Sequence, residues 1–235
     1  MEEILKKKGF RKEPKKFQFI LELLSEDKMF ENFNRITRKG IKKAQKSNLT
    51  IKEIDREEEL EKFYQLYLKN MKSFGTPQHA YNYFRNFMMM GKDFFKGLNC
   101  YREEKLIGSL IVFYNKTYMY AAYNFSDYKS LVYQPNDLLY WEMIRWASNH
   151  NISYFDFGQC EPDAEDGSHA SGIYKFKSKW GGKLYKKSYF YYSFENEEKK
   201  SNKKSEYKKM IRVWRRLPLW IIKFIGPKIA SQLAL

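Results

Sequence analysis

Cysteine is scarce in this chain of 235 residues: there are two, Cys100 and Cys160, far apart and in no CxxC or Cys/His ligand set. That excludes a disulfide framework and points to a reducing compartment. Histidine is nearly as rare, with three residues, and no Ser-His-Asp spacing, paired-carboxylate motif or metal-ligand cluster stands out. Neither GxGxxG nor GxxxxGK[ST] occurs, so both common nucleotide fingerprints are missing. No window approaches the roughly 18 consecutive apolar residues that span a bilayer. The opening MEEILKKKGFRKEPKK is charged and has no apolar h-region, so no secretory signal is read there. The expectation is a cytoplasmic chain, with a peripheral place at the inner face of the membrane left open by its tail. Acidic residues are also in deficit: 28 Asp+Glu face 44 Lys+Arg, a net charge of +16. Such a field draws phosphates, nucleic acid or anionic headgroups. A lysine-rich solvated surface is the plain alternative.

Aromatic side chains are abundant. Nineteen Tyr, 19 Phe and 5 Trp supply a sizeable core and argue against disorder in the main body. The hydrophobic periodicity predicts a strand over Phe17–Leu24, then a helix over about 26–47 with Ser25 as N-cap. On that helix Arg35, Arg38, Lys39, Lys42 and Lys46 recur at three- and four-residue spacing, which makes a cationic ridge. A short strand over Thr50–Ile54 follows. Leu60, Phe63, Tyr64, Tyr67, Leu68 and Met71 then mark an amphipathic helix, and a further helix runs to Met90, ended by Gly91. Phe94–Tyr101, Lys105–Tyr114 and Thr117–Phe125 read as an antiparallel meander. Pro135 opens another helix, closed at Asn149–Asn151. A strand over Ile152–Gly158, a Gly/Asp/Ser loop, a short helix over Gly172–Trp180 and a last strand over Lys183–Phe194 complete the body. The order predicts an α/β layout with a mixed central sheet flanked by helices.

Four segments are expected: a basic lead-in (1–16), the main domain (17–194), a charged linker (195–209) and basic amphipathic helices (210–235). In the last, Trp214, Leu217, Trp220, Ile221, Phe224 and Ile225 face Arg212, Arg215, Arg216, Lys223 and Lys228, with breaks expected at Pro218 and Gly226–Pro227. That pattern suits an anionic bilayer surface and equally a helix pair docked on the domain's own sheet.

One constellation carries chemistry. Asp156 ends a strand in YFDFG, and after the loop GIYKFKSKWGG offers Lys175, Lys177 and Lys179 beside anchoring Ile173, Phe176 and Trp180. A lysine held near a strand end can stabilise the oxyanion formed when an amine attacks an acyl carbonyl. A packed helix with snorkelling charges is the alternative. Ser168-His169 lies in the loop, where adjacent residues do not form a nucleophile–base pair, and His79 and His150 read as surface or capping residues.

The stretches NRITRKGIKKAQ (34–45), LYLKNMKSFGTPQH (66–79), QPNDLLYWEMIRWA (134–147), YFDFG (154–158) and GIYKFKSKWGG (172–182) together resemble, in order, the motifs of the FemAB family. That family comprises peptidoglycan-bridge aminoacyltransferases and related N-acyltransferases. The resemblance implies a GNAT-like (acyl-CoA N-acyltransferase) fold and transfer of an aminoacyl or acyl group to an amine in cell-wall or surface-polysaccharide assembly. It implies no bound cofactor, the donor substrate being aminoacyl-tRNA or acyl-CoA. It carries Lys177 over as oxyanion stabiliser and Asp156 as base or amine-positioning group. Arg38 and Lys42 become phosphate contacts, and Asn136, Tyr174 and Lys175 join them as substrate-binding residues. The implied partners are anionic: tRNA, or a nucleotide- or lipid-linked precursor. The chain departs from the family in two respects. Bridge-forming members have two GNAT-like domains, and this chain reads as the second alone, so a partner chain supplying the other half is one expectation. The Q/R-x-x-G-x-G/A pyrophosphate loop is replaced by Tyr133–Asp137, where Asp137 is expected to repel anions from the helix N-terminus. The competing function is a non-catalytic basic module of the same fold that binds RNA or an anionic membrane surface.

Overall fold

The computed structural model describes residues 2–12, 16–192 and 203–232. The elements in chain order are α1 (Glu2–Lys7), β1 (Arg11–Lys12), β2 (Lys16–Glu22), α2 (Glu26–Asn32), α3 (Arg35–Gln45), β3 (Leu49–Glu53), α4 (Glu57–Phe74) and α5 (Tyr81–Met90). Next come β4 (Phe95–Arg102), β5 (Lys105–Tyr114), β6 (Tyr118–Ser126), a 3-10 helix (Tyr128–Tyr133), α6 (Pro135–Asn149), β7 (Tyr154–Cys160) and α7 (His169–Ser178). The chain closes with β8 (Lys183–Lys187), β9 (Phe190–Tyr191), α8 (Lys203–Arg216) and α9 (Leu219–Gln232).

Seven strands form one sheet in the order β3-β4-β5-β6-β7-β2-β8. Neighbours are antiparallel except β6 and β7, which run parallel. This is the mixed sheet flanked by helices that the residue pattern predicts. β1 and β9 pair separately, so the lead-in contributes a helix and a short strand instead of a featureless arm.

Helices cover both faces, which is why β4 is buried along almost its whole length instead of alternating. On one face α4 presents Leu60, Phe63, Tyr64, Tyr67 and Leu68 to Ile111 and Phe125 of the sheet. The acidic first turn Glu57–Glu59 suits the positive end of its dipole. Gly75 ends it at φ 77°, its N–H donating to the carbonyls of Met71 and Lys72, the usual left-handed stop. On the other face α6 buries Leu139, Met143, Ile144 and Ala147 against β4–β7. The Leu, Met and Ile side chains among these, fully buried, are each worth about 1.5–3 kcal/mol.

The helix predicted over 26–47 is two helices. Phe33 leaves the helical path at φ −64°, ψ 142° and drives its ring against Trp141 and Trp180, at 5.7 and 5.3 Å between centroids. Asn34 restarts the chain as N-cap of α3, its Oδ1 accepting from the Thr37 N–H at 2.9 Å. Ser25 occupies the N-cap position of α2 but makes no side-chain cap bond. The strand expected over 183–194 is broken into β8 and β9, and residues 193 and 194 lie outside the described residues. So does 195–202 of the charged stretch, whereas 203–209 belong to α8.

The tail packs on α4, and Leu219 also reaches the core cluster that holds Ile111 and Phe125 of the sheet. Trp214, Ile222 and Ala230 are buried. α8 ends at the expected Pro218 break, but α9 passes unbroken through Gly226-Pro227. Gln78, fully buried, donates from Nε2 to the Ile222 carbonyl at 2.7 Å, one residue before the Lys223 carbonyl whose helical donor Pro227 lacks. Gly226 is obligatory there, since a Cβ would lie 2.2 Å from Gln78 Oε1.

Candidate active site

Parallel strands β6 and β7 share three rows only, Tyr118↔Tyr154 to Tyr120↔Asp156, although both run on, to Ser126 and Cys160. Beyond that row they diverge. On its other side β6 carries a bulge: Ile111 pairs with Tyr123 and Val112 with Ala121, which leaves Ala122 over. A cavity of about 530 Å³ opens where the strands part. Its walls are β6 (Ala121, Ala122, Asn124, Ser126), Phe157 of β7, the end of α4 (Asn70, Phe74), the start of α6 and one side of α7.

Lys177 of α7 lines this cavity. Its Nζ donates to the Gln159 carbonyl at 2.8 Å. The side chain is half-buried, and loss of water around the ammonium lowers its pKa to about 8, against weaker opposition from Cys160 and Asp156. Gly158 makes the approach possible. It stands at φ 77°, and a Cβ there would press to 3.2 Å from the Ala121 carbonyl oxygen and 3.4 Å from Lys177 Nζ. Two phenylalanines of the motif position the helix from behind. Phe176 meets Tyr140 edge-on at 5.2 Å, and Tyr140 stacks on Phe157 at 5.5 Å. Tyr140 also lines the cavity, and burial pushes its phenol up, so it remains a neutral hydrogen-bond donor.

Asp156 is fully buried and is not among the lining residues. Its Oδ2 accepts from the Tyr118 hydroxyl at 2.6 Å and its Oδ1 from the Gly158 N–H at 2.7 Å. Burial and this carboxylate push the Tyr118 phenol up. Asp156 therefore holds the turn that admits Lys177, and its oxygens are engaged away from the cavity.

The remaining predicted site residues divide. Asn136 lines the cavity, its Oδ1 accepting from Ser126 Oγ at 2.6 Å and Asn124 Nδ2 at 3.1 Å. Tyr174 turns the other way, its ring 5.3 Å from that of Phe19. Lys175 is exposed and pairs with Asp166 at 2.5 Å. Arg38 and Lys42 stand on α3 outside the lining, Lys42 with its ammonium 5.9 Å from the Phe30 ring. None of Arg35, Arg38, Lys39, Lys42 and Lys46 has a carboxylate partner among the described residues. Lys179, the third lysine of the motif, is committed to Asp137 at 2.5 Å. Asp137 is buried, and desolvation raises its pKa against the pull of Lys179. Its charge is thus answered from α7 and does not stand open at the start of α6 as expected from sequence. Gly40 of α3 allows this, since a Cβ there would lie 2.6 Å from Asp137 Oδ1.

Several lining residues escaped the sequence reading. Asn124 and Ser126 are polar positions in an aromatic strand, and Gln134 takes φ 60° just ahead of Pro135. Asn70 is a buried amide at the end of α4, its Nδ2 donating to the Leu66 carbonyl at 2.9 Å. Ser168 caps α7 by accepting from the Ser171 N–H at 3.1 Å, while His169 lines the cavity with its ring 5.4 Å from that of Phe74.

A family model described as an acetyltransferase (GNAT) domain matches residues 31–178. A lipid II:glycine glycyltransferase of Staphylococcus epidermidis is 32% identical over 83 residues, 35% of this chain and 20% of that protein. The chain thus matches about a fifth of the length of this curated relative. Among solved structures, FemX superposes with a TM-score of 0.68 at 16% identity, over 82% of this chain and 68% of that one. A tandem GNAT protein from the clavulanic acid biosynthesis pathway gives 0.53 at 12% identity, over 80% and 56%. At such identities the superpositions speak to the fold.

Proposed function

Because the chain belongs to the acetyltransferase (GNAT) domain family, we propose that it transfers an aminoacyl group from aminoacyl-tRNA to an amine of a cell-wall precursor. The observation that carries the reading is the half-buried ammonium of Lys177, held by the Gln159 carbonyl in the cavity between the diverging strands. In the reaction the acceptor amine attacks the ester carbonyl carbon and a C–N bond forms. The carbonyl oxygen becomes negative and then collapses back, breaking the C–O bond to the ribose, and a proton from the amine ends on the ribose oxygen. Lys177 meets the negative oxygen in a setting poor in water, where a fixed cation is worth most. The neutral phenol of Tyr140 stands in the same cavity as a second donor. Asp156 acts through Gly158 and Tyr118 as a positioning residue.

Two features favour tRNA over a CoA thioester as donor. Pro135 at the first position of α6 has no N–H to offer a pyrophosphate, and Gln134 ahead of it makes no cap bond. The cations of α3, without carboxylate partners, suit a phosphate backbone. A relative named lipid II:glycine glycyltransferase supports a lipid-linked acceptor.

Purified protein incubated with labelled aminoacyl-tRNA and a lipid-linked amine acceptor tests the proposal, with acyl-CoA as the second arm. Lys177→Ala is expected to lower turnover by about 100- to 1,000-fold, the effect of removing one oxyanion donor. Transfer unchanged in Lys177→Ala, or from CoA alone, would refute it in its residue or in its donor.

A further inference from the structure

The tail helices show a second surface that the transfer chemistry does not use. From Tyr207 to Leu235 the sequence holds seven Lys and Arg and no Asp or Glu. One side of this pair is spoken for. Trp214, Ile222 and Ala230 are buried against the domain, Gln78 bonds the Ile222 carbonyl, and Arg215 reaches the Phe74 carbonyl at 3.4 Å. The opposite side of α9 is apolar and bare. Trp220 is 73% exposed and Phe224 71%. They lie one turn apart, roughly 160–200° around the helix from Ile222. Lys223 and Lys228 flank them, the Lys228 ammonium 5.1 Å from the Phe224 ring. On α8, Arg212 and Arg216 lie on the side away from Trp214, and both are exposed.

Two large aromatic rings held out to solvent cost free energy in water, and a soluble surface gains nothing from them. Indole and phenyl rings between lysines are the arrangement that rests in the headgroup layer of a bilayer, rings at the acyl boundary and ammonium groups at the phosphates. A second copy of the chain is a poor occupant, because each carries +16 and would bring the same cations face to face. Among the described residues no helix is long and apolar enough to cross a membrane, so the contact is with a surface.

We propose that the outer face of α9, with Trp220, Phe224, Lys223 and Lys228 and with Arg212 and Arg216 of α8 beside it, docks the protein on an anionic lipid bilayer. The position has a consequence for the transfer reading, and only this consequence rests on that reading. Phe74, which α8 contacts through Arg215, is also a wall of the cavity. Docking therefore holds the domain at the bilayer in which a lipid-linked acceptor would be anchored, with the tail helices between that surface and Phe74.

Sedimentation with large unilamellar vesicles at physiological salt tests the docking. The full chain should pellet with vesicles of phosphatidylglycerol and phosphatidylcholine and stay in solution with phosphatidylcholine alone. The double variant Trp220→Ala/Phe224→Ala should lower the partition coefficient at least about tenfold. Lys223→Gln and Lys228→Gln should each lower it about fivefold on the anionic vesicles. Transfer to a soluble amine acceptor should be the same in all of these variants, which separates failure of docking from failure of the transfer reading. Wild-type protein that stays in the supernatant with anionic vesicles overturns the proposal. So does equal pelleting of the aromatic double variant. Binding of bulk tRNA that the double variant loses, without vesicle binding, would assign the face to nucleic acid instead.

Discussion

Replacing Lys177 by Met should make the protein more stable and inactive together, with a pH dependence that identifies the cause. The ammonium has a pKa of about 8 in the folded chain against 10.5 for a free lysine side chain. Folding therefore disfavours the charged form, at ~1.36 kcal/mol per pKa unit. That amounts to about 3 kcal/mol, trimmed to roughly 2–3 kcal/mol by water at the cavity mouth. The lost bond to the Gln159 carbonyl offsets about 1 kcal/mol. At pH 7 both folded and unfolded lysine are charged, so wild type carries the whole penalty and Lys177→Met should be more stable by about 1–2 kcal/mol. Between pH 8 and 10.5 the folded lysine has lost its proton while the unfolded one keeps it, so wild-type stability rises relative to the variant. Above 10.5 the penalty is gone and the variant should be the less stable of the two, by the lost hydrogen bond. Urea denaturation of both proteins at matched pH values measures the difference, in which the titration of all other groups cancels. A difference that stays constant from pH 7 to 11 would show that the ammonium is not desolvated, and the electrostatic role assigned to it would fall with that result.

Transfer by wild type should decline as pH rises through about 8, because the oxyanion is met by the protonated lysine; a rate that climbs there would make Lys177 a base. Arg38→Ala and Lys42→Ala should each weaken tRNA binding and reduce the slope of log affinity against log salt by about one, read by filter binding across a salt series. Gly40→Ala should force Asp137 from its place, since the new Cβ would lie 2.6 Å from Oδ1, and lower the thermal midpoint. Asn34→Ala removes the cap of α3 and the bond from its Nδ2 to the Lys179 carbonyl at 2.8 Å, with an expected loss of about 1–2 kcal/mol by urea denaturation. Ile222→Ala should cost about 2–5 kcal/mol locally, seen as faster hydrogen exchange in α9 while α6 remains protected.

What was legible in the sequence depended on how local its cause is. α4 could be read from Leu60 to Met71 because one apolar stripe and one glycine stop define it. The meander β4–β6 followed from its tight polar joints. The split between α2 and α3 was not read, because Phe33 looks like one more apolar position until Trp141 and Trp180 arrive from over 100 residues away. The spacing Asn34-x-x-Thr37 was the available signal. Gly226-Pro227 read as a stop, yet α9 runs through it, packed at that point against Gln78, which lies 144 residues before Ile222 and bonds its carbonyl. In the cavity the same rule holds. Lys177 stands in a recognisable motif, whereas Asn124, Ser126 and Gln134 become site residues only because β6 and β7 part after Tyr120 and Asp156. Likewise the burial of Asp156 behind the Tyr118 hydroxyl depends on strand register, which no local pattern records.

The tether of Lys177 is a peptide carbonyl, and every amino acid brings one. The side chain of Gln159 points outward, with only a 3.4 Å bond to the Tyr189 hydroxyl, so substitution there is free to change the outer surface while the cation inside remains aimed. What fixes the carbonyl is the pairing of Gln159 with Gln18 and of Cys160 with Phe17 across β2. The lysine's direction is therefore inherited from the opening strand of the domain, and a slip in that strand would turn the ammonium aside with every residue around the cavity intact.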